Sequence, residues 1–196
     1  MTFDTRELYT MADDIRENNI KLGWQPHSLE LGEVMALLHS EVAEMTDAYR
    51  QWGFTDGTKY FTKGDDGGEI AVINPKPEGV GSEMADVLIR LLDNVEMLHT
   101  NLEYLNSGAG HFGFSDRFGT ACNTLHTLIA KLSMLVDSYE SCPLPDELPL
   151  IGRAFRDVYQ YLVQAAAHFR INLRYEYERK LEFNRTRAYR HGGKRM

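Results

Sequence analysis

From Leu31 the apolar residues of this chain fall at Val34, Met35, Leu38, Val42, Met45 and Tyr49, and from Met84 they recur at Val87, Leu88, Leu91, Val95, Leu98 and Leu102. Steps of three and four place each set on one side of a helix, whereas a half-buried strand would alternate every second residue. Shorter stripes suggest four more helices. One covers about residues 4–19 with Leu8, Met11 and Ile15, and one about 118–139 with Leu125, Leu128, Leu132 and Leu135. The others cover about 150–169 and 172–187. Helices striped in this way bury their apolar sides against one another, so the expected fold is all-α, an antiparallel helical bundle.

Punctuation between the stripes divides the bundle. Leu22-Gly23-Trp24-Gln25-Pro26 closes the first helix, Ser28 and Ser82 are the expected N-caps of the two long ones, and residues 106–119 are a glycine-rich loop. Pro143, Pro145 and Pro149 separate the next two helices. Between Gly53 and Gly81 the composition turns to glycine, aromatic and β-branched residues. Lys59 to Thr62 and Glu69 to Ile73, joined by Gly64-Asp65-Asp66-Gly67-Gly68, read as a short β-hairpin that Pro75 and Pro77 end. The 196 residues are expected to form one domain, with this hairpin inserted over about 54–79 and a helical elaboration over about 106–169.

Charge is unevenly spread. The net charge is −8, but from Arg170 onward nine Lys or Arg face three Glu, about +6, which leaves about −14 on the preceding 169 residues. An acidic body repels a nucleic-acid backbone, while a basic tail can meet the phosphates of a single nucleotide. No stretch approaches the roughly 18 apolar residues of a membrane span. Residues 1–14 do not read as a secretory signal. Only Cys122 and Cys142 occur, with no C-x-x-C, so neither a disulfide framework nor a thiolate zinc site is indicated, and a cytoplasmic location is the economical expectation.

Two carboxylate pairs carry the candidate chemistry, Glu41-x-x-Glu44 and Glu83-x-x-Asp86, one on each long helix. At 100° per residue Glu41 and Glu44 lie on the flank of their apolar stripe, and Glu83, Asp86, Arg90 and Asp93 share the corresponding flank of the other. Packing the stripes together would turn both acidic flanks toward one crevice. Acids crowded beside a core need compensation, and carboxylates with no convergent His or Cys suit a hard ion such as Mg²⁺. The same spacing also occurs on solvated helix faces. His39 stands close to this pair but reads as a surface or capping histidine. H-E-x-x-H, G-x-S-x-G and the Walker A loop are all absent.

Three stretches together resemble the MazG-like, all-α nucleoside-triphosphate pyrophosphohydrolases. They are Glu41-Val-Ala-Glu44, the run from Pro77 through Glu83-Met-Ala-Asp86 to Asp93, and the terminal Lys180-Leu-Glu-Phe-Asn184-Arg-Thr-Arg187-Ala-Tyr189-Arg190-His-Gly-Gly-Lys194. The resemblance covers about half the chain. It implies hydrolysis of a nucleoside triphosphate, expected to be a dNTP, between the α and β phosphates to give the monophosphate and pyrophosphate. Mg²⁺ is the implied cofactor, with Mn²⁺ as a substitute, held by Glu41, Glu44, Glu83 and Asp86. Glu41 or Glu44 would orient the attacking water, and Asp93 would be an outer ligand or the partner of Arg90. Lys180, Asn184, Arg187, Tyr189, Arg190 and Lys194 would face the triphosphate, Trp24 would stack on the base, and Asn18 and Asn19 are candidate base readers. The resemblance further implies a homo-oligomer, a dimer or dimer of dimers; the long hairpin departs from the family pattern, and a lid or an oligomer contact is its expected role.

Two other classes compete. A non-catalytic helical protein could keep the fold to bind a nucleotide or a partner, although retention of all four carboxylates argues against it. A di-iron bundle also uses Glu on paired helices, but it wants Glu-x-x-His, and neither Glu41 nor Glu83 has a histidine three residues on.

Overall fold

The computed structural model describes residues 3–24, 30–54, 59–60, 62–63, 69–70, 76–97, 101–108, 110, 112–141 and 148–189. The chain is all-α. Among the described residues there are helices α1 (Thr5–Lys21), α2 (Leu31–Trp52), α3 (Val80–Met97), α4 (Glu103–Asn106), α5 (Phe118–Ser141), α6 (Leu148–His168) and α7 (Leu173–Arg185). Among the described residues no helix is long and apolar enough to cross a membrane.

The helix ends follow local chemistry. Asp4 caps α1 through a reciprocal box, its carboxylate accepting from the Glu7 N–H and its own N–H donating to Glu7, both at 2.8 Å. At α2 the cap is Glu30, whose N–H donates to the Glu33 carboxylate at 3.3 Å. The helix therefore starts later than a Ser28 cap implies, and Ser28 itself lies outside the described residues. Gly53, with φ +62°, closes α2 by donating to the Tyr49 carbonyl.

Three other expectations need correction. Ser82 is not an N-cap: α3 begins at Val80, directly after Gly79 at φ +102°, and the Ser82 hydroxyl donates to the Pro77 carbonyl at 2.8 Å. The apolar stripe expected to run through Leu102 is cut, because α3 ends at Met97. The Asn101 side chain accepts from the Glu103 N–H, opening the separate short helix α4, beside which Leu102 is buried. Pro149 lies inside the first turn of α6 rather than ahead of it, where a missing N–H costs nothing.

The insertion is an antiparallel ribbon. Strands β2 (Thr62–Lys63) and β3 (Glu69–Ile70) pair with Thr62 opposite Ile70, and the turn expected at residues 64–68 lies outside the described residues. Below them β1 (Lys59–Tyr60) pairs with β4 (Pro77–Glu78), so Pro77 is a strand residue rather than the terminator of the hairpin. A two-stranded ribbon tolerates it, because proline can sit on an edge without breaking a ladder on both sides.

All the long helices feed one hydrophobic cluster. Leu38, Val42 and Met45 of α2 meet Leu88 and Leu91 of α3, and Leu125, Ile129 and Leu132 of α5 join Phe155 and Leu162 of α6. The closest helix pairs are α2 with α3, α2 with α5, α5 with α6, and α3 with α7. The α2–α3 and α3–α7 contacts position the acidic flanks.

Candidate metal centre

Packing α2 on α3 by their stripes brings Glu41, Glu83 and Asp86 together. One oxygen from each lies within 4.8 Å of the others. Glu41 is 9% and Glu83 3% exposed, so two of the three acids are buried. Glu44, one helical turn beyond Glu41, stays exposed and outside this tight group, though its charge is felt at both Glu41 and Glu83. The expected four-carboxylate cage is therefore three acids plus a more open fourth.

Among the described residues, two cations make ion pairs with the group. Arg90 Nε donates to Glu41 Oε1 at 3.1 Å. Lys180, fully buried on α7, places Nζ 2.7 Å from Asp86 Oδ2 and 3.7 Å from Glu83 Oε1, and donates to the Ser82 hydroxyl at 2.9 Å and to the Pro77 carbonyl at 3.4 Å. The base of the ribbon, the first turn of α3 and α7 thus meet at one ammonium group. Sequence alone put Lys180 on a face turned to substrate; here it faces the carboxylates.

The electrostatics follow from burial. Desolvation and the nearby Asp86 raise the Glu41 carboxyl above its ordinary range, against the pull of Arg90. Burial pushes Glu83 up to about 8 even though Lys180 draws it down. For Lys180, burial alone would lower the ammonium, but Asp86 and Glu83 outweigh it and hold it above its usual value. Glu83 Oε2 is buried with no hydrogen-bond partner. Such an oxygen is costly unless something else meets it. Three converging carboxylates, one with an unmet buried oxygen and no His or Cys among them, fit the oxygen-only donor set of Mg²⁺.

The remaining candidates spread around this centre. Asp93 accepts from Asn19 Nδ2 at 3.0 Å and lies outside the tight group, while Arg90, its expected partner, pairs with Glu41. Asn18 is buried with its Oδ1 unmet. Asn184, one turn past Lys180, also has a buried, unmet Oδ1. Because α7 ends at Arg185, Arg187 does not continue the Lys180–Asn184 helix face; its guanidinium lies 5.2 Å from the centre of the Phe183 ring. Tyr189 is exposed, yet its ring covers Gly23, where φ is +82° and an added Cβ would collide with it. The tail therefore reaches the α1–α2 connection beside the half-buried Trp24. Arg190 and Lys194 lie outside the described residues.

Glu176 joins the buried acids near this centre without a motif to mark it. It is 3% exposed, Oε2 has no partner, and its side chain presses on Gly81. Its place four residues before Lys180 was the available signal, since both then share a helix face. The chain matches no protein-family model, no curated protein and no solved structure.

Proposed function

We propose that this chain is a Mg²⁺-dependent nucleoside-triphosphate pyrophosphohydrolase of the MazG-like, all-α kind, cleaving a dNTP between the α and β phosphates. The observation that carries the reading is the convergence of Glu41, Glu83 and Asp86 within 4.8 Å across two helices, with a buried Glu83 oxygen left unmet. Glu41, Glu83 and Asp86 would hold Mg²⁺, or Mn²⁺ in its place. Once bound, the ion neutralises phosphoryl oxygens and makes a coordinated water more acidic.

The protein's own groups do the rest. Arg90 fixes Glu41 by a 3.1 Å bond, so that carboxylate is held in place rather than poised to move a proton. Glu44, exposed at the edge of the same group, is the better acceptor for the proton of the attacking water. Arg187 would supply positive charge toward the phosphates, and Trp24 with Tyr189 offers aromatic surface for a base. The test is pyrophosphate release from a panel of NTPs and dNTPs with Mg²⁺. Glu41→Ala and Asp86→Ala should each abolish it while the helical circular dichroism is kept; full activity in either variant refutes the assignment.

A second reading draws on one observation. Lys180 already pairs with Asp86 at 2.7 Å, which partly neutralises the acids without an ion and suits a non-catalytic nucleotide- or partner-binding protein. Nucleotide binding with no turnover across the whole panel would favour it.

A further inference from the structure

The tightest contact to the acidic group comes from the protein itself. Lys180 Nζ is 2.7 Å from Asp86 Oδ2 and 3.7 Å from Glu83 Oε1, with the side chain shut off from solvent. An ion bound to that Asp86 oxygen at the usual Mg²⁺ distance of about 2.1 Å would lie within about 5 Å of the ammonium. Two positive groups so close, in a site with little water to screen them, repel strongly.

We propose that Lys180 is a built-in competitor for the metal: its ammonium occupies Asp86 and Glu83 in the ion-free protein and must withdraw from them for a divalent cation to bind. This inference rests on the metal reading above. Two acceptors other than the carboxylates already hold the ammonium. The Ser82 hydroxyl, at 2.9 Å, and the Pro77 carbonyl, at 3.4 Å, are neutral acceptors that hold Nζ from the side of the ribbon and the first turn of α3. Lys180 therefore keeps hydrogen bonds when the carboxylates are taken from it. Glu83 Oε2 has no hydrogen-bond partner while Lys180 is in place, so the compensation that the ammonium gives the acids is incomplete. The arrangement keeps the acids compensated before the ion arrives, at the expense of metal affinity. It also ties the state of the centre to β4, because Pro77 is a strand residue of the ribbon.

The experiment measures Mg²⁺ binding alone, by calorimetry without nucleotide, on wild type, Lys180→Met and Ser82→Ala. Lys180→Met removes the competitor and should bind Mg²⁺ on the order of tenfold more tightly. Ser82→Ala keeps the ammonium but takes away an acceptor it falls back on, so it should bind more weakly than wild type. These opposite shifts are the signature of competition. Unchanged or weakened affinity in a folded Lys180→Met overturns the proposal and leaves the metal reading standing. Should Lys180→Met fail to fold, Ser82→Ala decides: weaker binding supports competition, and equal or tighter binding overturns it. If the wild type and the variants all fail to bind Mg²⁺, the metal reading itself falls.

Discussion

Across the α2–α5 contact the Nδ1 atoms of His39 and His126 stand 2.9 Å apart. The ring centroids are 5.2 Å apart and the planes 19° from parallel, so the two ring radii account for the difference between the distances. The imidazoles therefore meet edge to edge in nearly one plane, with a single N–H···N hydrogen bond between them. One ring must donate and the other accept, and a doubly protonated pair has no place for its second proton.

This pair predicts acid sensitivity. Burial lowers both histidines below 6.5, and the neighbouring His39 lowers His126 further. As pH falls through 6.5 the unfolded chain binds protons first, so stability is complete above that value and is lost as pH drops below it. Urea unfolding of wild type and His126→Gln at pH 7.5 and 5.0 isolates this contribution, and the wild type's advantage should shrink at pH 5.0. His126→Gln should flatten the pH dependence while costing about 1 kcal/mol at pH 7.5 for the broken bond.

Glu176 gives the opposite slope. Burial raises it from 4.5 to about 7, against the pull of Arg179 and Lys180, so the folded protein favours the protonated acid. The contribution of Glu176 to stability should then fall as pH rises from about 4.5 to about 7 and level off above that, read as the difference between wild type and Glu176→Gln. Glu176→Gln removes the charge and should be more stable than wild type at pH 8, by about 1–3 kcal/mol. Equal unfolding midpoints at pH 8 would contradict this.

Gly152 packs its bare Cα against Tyr104. An added Cβ would sit 2.7 Å from Tyr104 Cδ2 and 3.1 Å from Cγ, near the root of the ring rather than at a mobile tip. Alanine is better than glycine in a helix by about 1 kcal/mol, but overpacking at a rigid contact costs about 1–3 kcal/mol. Gly152→Ala should therefore lower the thermal midpoint.

Glu44 and Asp86 should separate in their effects. Glu44→Gln is expected to lower turnover by about 10²–10⁴-fold with Mg²⁺ affinity little changed, as befits a proton acceptor. Asp86→Ala should lose Mg²⁺ binding and turnover together, because it removes an oxygen of the tight group. Parallel losses of metal affinity in both variants would make Glu44 a ligand instead.

Spacing along the chain is enough to give the helices and the flanks. Periodicity of three and four is a local property, so the α2 stripe, the acidic flank at Glu41 and the matching flank at Glu83 and Asp86 could all be read from spacing. A hairpin near Thr62 and Glu69 could be read as well, but not its register, since Lys59 and Tyr60 pair with Glu78 and Pro77 instead. Which acids converge depends on how α2 and α3 cross and not on the phase of either helix, so it follows from packing and not from spacing. The crossing gathers Glu41, Glu83 and Asp86 and leaves Glu44 at the edge. Tertiary structure also turned Lys180 inward: a basic tail looks solvated in one dimension, but α7 packs on α3, where buried carboxylates draw the ammonium out of water. The contact of Tyr189 with Gly23 is of the same kind, joining chain segments that no local pattern connects.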